Sequence, residues 1–203
     1  MRETVPGGGG PEREHVPKGR LLALTDGVVA IAMTILVLDV RLPARLDGRE
    51  LDDALGHVAA QVWTFLISAV VIAVFWRAHH AALRRAERID PALFWLNIAF
   101  LILLSLIPFP TSVLEDYSDK PLGPGLYGAV IGLAALALYL MEVRVERRTA
   151  ADERRRVPLP AQAAVFLGSI GIALVAPTAA LYSWLASIPL SHLANRRAYR
   201  SRR

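Results

Sequence analysis

A small group of polar and ionisable side chains lies inside or beside the long apolar stretches of this sequence. The group comprises Arg20, Thr25, Asp26, Trp76, His79, His80 and Asn97. Such side chains can form a buried hydrogen-bond network, move protons, or bind a metal ion through the carboxylate and the imidazoles. Two adjacent histidines point about 100° apart on a helix, which disfavours joint chelation of one ion.

An apolar stripe follows this group along the first apolar run. Ile31, Ile35 and Leu38 have i, i+4, i+7 spacing, with Thr34 beside them, so they lie on one side of a helix. Ordinary helix packing explains such a stripe. From spacing alone, helix packing is the favoured explanation, and a hydrophobic constriction in a pore, which closes by excluding water, is the second.

The elements that carry these residues are predicted to be membrane-spanning helices. Apolar residues make up 54% of the 203 residues, whereas about 45–50% is usual for soluble proteins. Spans are predicted at about 21–42, 56–76, 91–108, 125–141, 159–176 and 178–193, the last two separated only by Pro177. We therefore predict an all-α membrane protein with six transmembrane helices per subunit and no separate soluble domain.

The charged loops between the spans predict how the chain crosses the membrane. The loops after spans two and four and the C-terminal tail are rich in arginine, whereas the loops after spans one and three are mainly acidic. The positive-inside rule then places both termini on the cytoplasmic side of a bacterial inner membrane. We predict a disordered tail over 1–18, a membrane domain over 19–195 and a basic tail over 196–203.

Topology also brings the polar group together. Span one leaves the cytoplasmic side, span two returns to it and span three leaves it again. Asp26, Trp76 and Asn97 are therefore expected at a similar depth, together with the two histidines. The net charge of +5 is interpreted as contact with anionic lipid rather than nucleic acid, because the basic residues flank apolar segments. The absence of cysteine excludes disulfides and thiolate metal sites.

The order of these residues resembles one family. Arg20, Leu24-Thr25-Asp26-Gly27 and the apolar run to Asp39 resemble the Arg-x-x-x-Phe-Ser-Asp hallmark of the prokaryotic transmembrane protein 175 potassium channels, which are relatives of the lysosomal channel. The segment from Trp76 to His80 is similar to the family's Trp-x-x-His-His. Asn97 and Pro108-Phe109-Pro110 resemble its third helix. Leu24 and Thr25 replace Phe and Ser, and Thr25 keeps the hydroxyl.

The resemblance implies a homotetramer that conducts potassium ions passively through a central pore lined by the first helix. Ile31 would form the narrowest hydrophobic ring, Ile35 and Leu38 would form further layers, and Thr34 would supply the hydroxyls that favour potassium. The polar group would hold the pore helix in place. No catalytic residue, cofactor or metal is implied. A proton-conducting or proton-coupled transport protein is the main alternative, and a small membrane enzyme with a metal at the polar group is a more distant one.

Overall fold

The computed structural model describes residues 17–149 and, further along, residues 168, 169, 171, 172, 174, 176 and 179. The described residues form helices and connecting turns, with no strand among them. The elements are α1 (Lys18–Leu36), followed by a 3-10 turn (Val37–Asp39), α2 (Arg49–Arg85), α3 (Pro91–Leu106), α4 (Pro108–Asp116) and α5 (Leu122–Thr149).

Four helical stretches in the described part are long and apolar enough to span a membrane. They are Lys18–Asp39, Arg49–Arg85, Pro91–Asp116 and Leu122–Arg148. The prediction of an all-α membrane fold is confirmed, and these stretches match its first four spans. The fifth and sixth predicted spans lie almost wholly outside the described residues, so the number six stays a prediction. The predicted terminal tails also lie outside them, except for Pro17, which precedes α1, and Lys18, which begins it.

The helix α2 is longer than the apolar run that predicts it. It begins at Arg49 and continues through His79 and His80 to Arg85, although the basic loop was predicted to start at Arg77. Acidic residues in its first turn and arginines in its last turn complement the helix dipole, so the charged flanks remain helical. A count of apolar residues finds the lipid-spanning part of a helix but not its ends.

The third span consists of two helices. Pro91 occupies the first turn of α3, and the side chain of Asp90 accepts a hydrogen bond from the Leu93 amide at 2.8 Å. This is the expected N-terminal cap. The chain turns at Ile107 because Pro108 has no amide hydrogen to continue the ladder, and α4 then extends the span to Asp116.

The core of the described bundle lies between α5 and helices α2, α3 and α4, while α1 packs against α2 and α3. Its fully buried apolar side chains include Ile72, Leu83, Phe100, Leu104, Ile107, Ile131, Ala134 and Met141. Because α1 contributes only one side to this core, no part of the chain that the structure describes covers its other side. That asymmetry defines the candidate site.

Candidate functional site

The two faces of α1 differ sharply in burial. The face toward the rest of the chain is covered and consists of Leu21, Thr25, Val29, Ala32 and Leu36. The opposite face carries the predicted pore residues Ile31, which is 59% exposed, and Ile35, which is 43% exposed. Leu38, which is 62% exposed, continues this face in the 3-10 turn after α1. Thr34 is exposed on the same side. The structure therefore brings these four predicted residues together on a face that no described part of the chain covers.

Both threonines of α1 donate their hydroxyl hydrogens to the helix backbone. Thr25 is fully buried, and its Oγ1 donates to the Leu21 carbonyl at 3.0 Å. Thr34 is exposed, and its Oγ1 donates to the Ile31 carbonyl at 2.8 Å. A hydroxyl that donates in this way keeps oxygen lone pairs for another partner. On the uncovered face, the Thr34 oxygen is available to a cation or to water.

The carboxylate of Asp26 connects α1 to α2. Trp76 Nε1 donates a hydrogen bond to Asp26 Oδ1 at 2.7 Å. His80 Nδ1 lies 3.8 Å from the same oxygen, and the His80 ring is 5.2 Å from the Trp76 ring between centroids. The Asp26 side chain is 50% exposed in the isolated chain. The carboxylate therefore reaches α2 while remaining open to the uncovered side of α1.

The second histidine contact connects α2 to α3 inside the bundle. Nε2 of the fully buried His79 lies 2.6 Å from Oδ1 of the fully buried Asn97. An amide oxygen only accepts, so Nε2 carries the hydrogen and donates it. The His79 ring stacks on Phe100 at 5.1 Å between centroids and 4° between planes. This pair is a buried polar link between two helices.

The predicted polar group thus forms two separate contacts rather than one cluster. Consecutive histidines take different partners, as their divergence on a helix requires. Among the described residues, no three potential ligands are placed to hold a metal ion, and Arg20 makes no side-chain hydrogen bond or ion pair. His79 Nδ1, His80 Nδ1 and Asn97 Nδ2 are buried without a hydrogen-bond partner in the part of the chain that the structure describes.

Sequence reasoning missed a buried cluster of three hydroxyl side chains between α2, α4 and α5. Ser68 Oγ lies 3.1 Å from Thr111 Oγ1 and 3.2 Å from the Tyr127 hydroxyl, so it joins α2, α4 and α5. All three residues are buried. Isolated hydroxyl residues in apolar runs are weak signals, and only the position of α4 after the turn brings Thr111 to this place.

An ion-pair group at the arginine-rich end of the bundle was also missed. Arg144 Nε lies 3.0 Å from Asp90 Oδ1, and an Arg148 guanidinium nitrogen lies 2.9 Å from Asp90 Oδ2. A guanidinium nitrogen of Arg85 lies 3.8 Å from a Glu146 carboxylate oxygen. The basic segments after spans two and four therefore meet at one end of the bundle, as the charge pattern predicts.

The four long apolar helices define an integral membrane protein with a helical bundle architecture. The family model described as Endosomal/lysosomal potassium channel TMEM175 matches residues 20–108. These residues contain α1 from Arg20 onward, all of α2 and α3, and every member of the polar group. The resemblance inferred from the sequence is confirmed over this region, which matches the TMEM175 family model.

Known relatives are similar to this chain over part of their length. A potassium channel of Streptomyces collinus is 33% identical over 126 residues, which are 60% of this chain and 59% of that protein. An endosomal/lysosomal proton channel TMEM175 of Danio rerio is 30% identical over 126 residues, 59% of this chain and 24% of that protein. The chain thus spans less than two thirds of either relative.

The crystal structure of a lysosomal potassium-selective channel TMEM175 homolog from Chamaesiphon minutus has the same fold. Its TM-score is 0.71 at 24% identity, and the match covers 88% of this chain and 98% of that one. This likeness extends the shared architecture well beyond the segment matched by the family model.

Proposed function

We propose that this chain is the subunit of a homotetrameric, passive cation channel that favours potassium, with α1 of each subunit lining the central pore. The observation that carries the proposal is the uncovered face of α1, which bears Ile31, Thr34, Ile35 and Leu38. Four copies arranged about an axis would turn these faces toward one another. Relatives of this chain that are named potassium channels support potassium as the conducted ion.

The uncovered side chains suit a pore that resists water. Four Ile31 side chains, each 59% exposed in the single chain, would form the narrowest ring. Ile35 and Leu38 would add two further apolar layers toward the end of α1. Such rings oppose ion passage by dewetting. Thr34 would provide hydroxyl oxygens between them, because its hydrogen already bonds to the helix backbone.

The two polar contacts would fix the rotation of the pore helix. The Asp26–Trp76 hydrogen bond holds α1 against α2, and the His79–Asn97 bond holds α2 against α3. A rotation of α1 that removed Ile31 from the axis would break the first contact. We therefore assign Asp26, Trp76, His79, His80 and Asn97 to the scaffold that holds the pore helix, with Thr25 as a buried position on its packed face.

The charge distribution supports a cell membrane location with both termini cytoplasmic. Arginines of the α2–α3 connection and of the end of α5 meet at one end of the bundle. Acidic residues at the start of α2 and the end of α4 belong to the opposite loops. The positive-inside rule puts the arginine-rich end in the cytoplasm.

A proton channel is the second candidate, because the Danio rerio relative is named as one and Asp26 is accessible in the single chain. The two candidates differ in the gradient that sets the reversal potential. Purified protein in liposomes is given a potassium gradient at constant pH, and then a pH gradient at constant potassium. A current that follows only the pH gradient would replace potassium conduction with proton conduction.

Two variants test the pore residues in the same assay. Ile31→Asn admits water to the narrow ring, so we expect more current and a lower ratio of potassium to sodium flux. Thr34→Ala removes one favourable oxygen contact in each subunit, and we expect the ratio to fall about two- to fivefold, as for a loss of about 0.5–1 kcal/mol. If α1 only packs against other helices, Ile31→Asn lowers stability and leaves the selectivity unchanged.

Thr64→Ala is the matched control for the threonine. Thr64 on α2 donates its hydroxyl to the Ala60 carbonyl at 3.1 Å, as Thr34 does to its own helix. Thr64→Ala removes a similar hydrogen bond to the backbone, on a helix that is not assigned to the pore. The flux ratio should stay at the wild-type value in this variant. An equal fall in both variants would show that the effect is general to the bundle.

A further inference from the structure

Arg41 is folded back onto the end of the pore helix. Its Nε donates to the Leu38 carbonyl at 3.1 Å, and its backbone amide donates to Gln61 Oε1 on α2 at 3.0 Å. The first contact binds the guanidinium to the last layer of the apolar stripe. The second holds the chain after α1 against the neighbouring helix. Arg41 is exposed beyond these contacts.

The position of this guanidinium matters because of the helix dipole. The last carbonyls of a helix carry partial negative charge and attract cations. Around a pore, four such ends would raise the local concentration of a permeant cation. A guanidinium on the Leu38 carbonyl offsets that charge. Asp39 stands on the same turn, but in the described part of the chain it forms no ion pair with Arg41.

We propose that Arg41 sets the electrostatic potential of the pore mouth at the C-terminal end of α1 and limits the cation current that enters there. This inference rests on the proposed channel function. Four positive charges near the mouth deplete cations on that side only, so the current becomes asymmetric with voltage. The permeant ion is a monovalent metal cation, and the residue acts through its charge rather than by contact with the ion.

The size of the effect follows from Coulomb's law. One unit charge about 8 Å from a cation in water changes the local cation concentration about two- to threefold. Salt screens this interaction, since the Debye length is about 30 Å at 0.01 M and about 3 Å at 1 M. The effect should therefore be large in dilute potassium and nearly absent in concentrated potassium.

The test records currents from membrane patches excised from expressing cells, which keep one orientation of the protein. Wild type, Arg41→Gln and Arg41→Lys are compared in symmetric potassium at about 0.01 M and about 1 M. We expect Arg41→Gln to raise the current entering at the α1 C-terminal mouth at least twofold in dilute potassium and to have little effect at high salt. Arg41→Lys should behave as wild type because it keeps the charge.

Arg45→Gln is the matched control, since it removes one positive charge from the same connection. Arg45 is exposed, and its side chain makes no hydrogen bond or ion pair with the residues that the structure describes. We expect its current to change clearly less than that of Arg41→Gln, because no contact holds this charge at the end of the pore helix. An equal change in Arg45→Gln would overturn the specific role of Arg41, as would a lysine variant that behaves like the glutamine variant.

Two outcomes separate this inference from the proposed function. A wild-type protein that conducts potassium, with no change in Arg41→Gln at low salt, overturns the inference alone and leaves Arg41 as a helix cap. The same result with a lower unfolding temperature would identify that capping role. A wild-type protein that carries no potassium current overturns the proposed function and, with it, this inference.

Discussion

The packed and uncovered faces of α1 are both apolar, yet only the packed face contacts other residues of the described part of the chain. Leu36 is 1% exposed and packs within the core, whereas its neighbour Ile35 is 43% exposed. The same contrast repeats one turn earlier between Ala32, which is 2% exposed, and Ile31, which is 59% exposed. Hydrophobicity therefore does not separate the two faces. We expect the hydrogen bond between Trp76 on α2 and Asp26 to help fix which of them turns outward.

The largest expected effect on stability is at the packed face of α1, and it is tested by substituting adjacent positions on the two faces. Leu36→Ala should lower the free energy of unfolding by about 2–5 kcal/mol, because it leaves a cavity in the core. Ile35→Ala should cost clearly less, while it widens one layer of the proposed pore and raises the current. Equilibrium unfolding in mixed micelles measures the first quantity and liposome flux the second. Equal losses of stability would remove the distinction between the faces.

The buried hydrogen bond between His79 and Asn97 should have the next largest effect on stability. Asn97→Leu leaves His79 Nε2 without an acceptor in a fully buried position, which should cost about 1–3 kcal/mol of unfolding free energy. The double variant His79→Phe with Asn97→Leu removes both polar groups and should cost less than the sum of the two single variants. Additive losses in this cycle would mean that the two side chains do not depend on each other.

The hydrogen bond between Asp26 on α1 and Trp76 on α2 should contribute less to the free energy of unfolding. Asp26→Ala removes the acceptor for Trp76, but the carboxylate is 50% exposed in the chain and Trp76 is also exposed. We expect a loss of about 1 kcal/mol in unfolding free energy, typical of one hydrogen bond. Asp26→Asn keeps an acceptor oxygen and should retain most of the stability. An equal loss in Asp26→Asn and Asp26→Ala would point to the charge rather than the hydrogen bond.

The smallest effect is expected at Asp90, outside the spans, and it depends on pH. Burial raises the pKa of Asp90, but the Arg144 and Leu93 hydrogen bonds and the charges of Arg144 and Arg148 outweigh it and hold the pKa below its ordinary value. The stabilisation is therefore present above the ordinary pKa of about 3.9 and is lost as pH falls through the lower folded value.

Thermal unfolding between pH 7 and pH 3 checks this prediction at Asp90. Wild type should lose stability at the acid end, and Asp90→Asn should start less stable at pH 7 and lose less on acidification. Asp26→Asn serves as a control for a general effect of removing a carboxylate. A parallel acid loss in wild type and Asp90→Asn would exclude Asp90 as the titrating group.

Much of this architecture could be predicted from the sequence because lipid imposes simple rules. Apolar run length located the first four spans, and the alternation of charged loops brought Asp26, Trp76 and the histidines to one depth. The choice of partner could not be predicted. Whether His79 or His80 faces Asn97 depends on the rotation of α2, and that rotation is set by packing against side chains such as Phe100. The position of Thr111 depends on the turn at Ile107.

The central claim is that the uncovered face of α1 lines the pore, and the absence of cysteine from the chain allows a direct test. Single cysteines at positions 31, 34, 35 and 38 are compared with cysteines at Leu36 on the packed face and at Ile102, which is 57% exposed on α3. Each variant is treated with a small charged thiol reagent during current recording. We predict block at the four positions of the uncovered face and no block at the other two. Block at none of the four, in variants that conduct, would contradict a pore lined by α1.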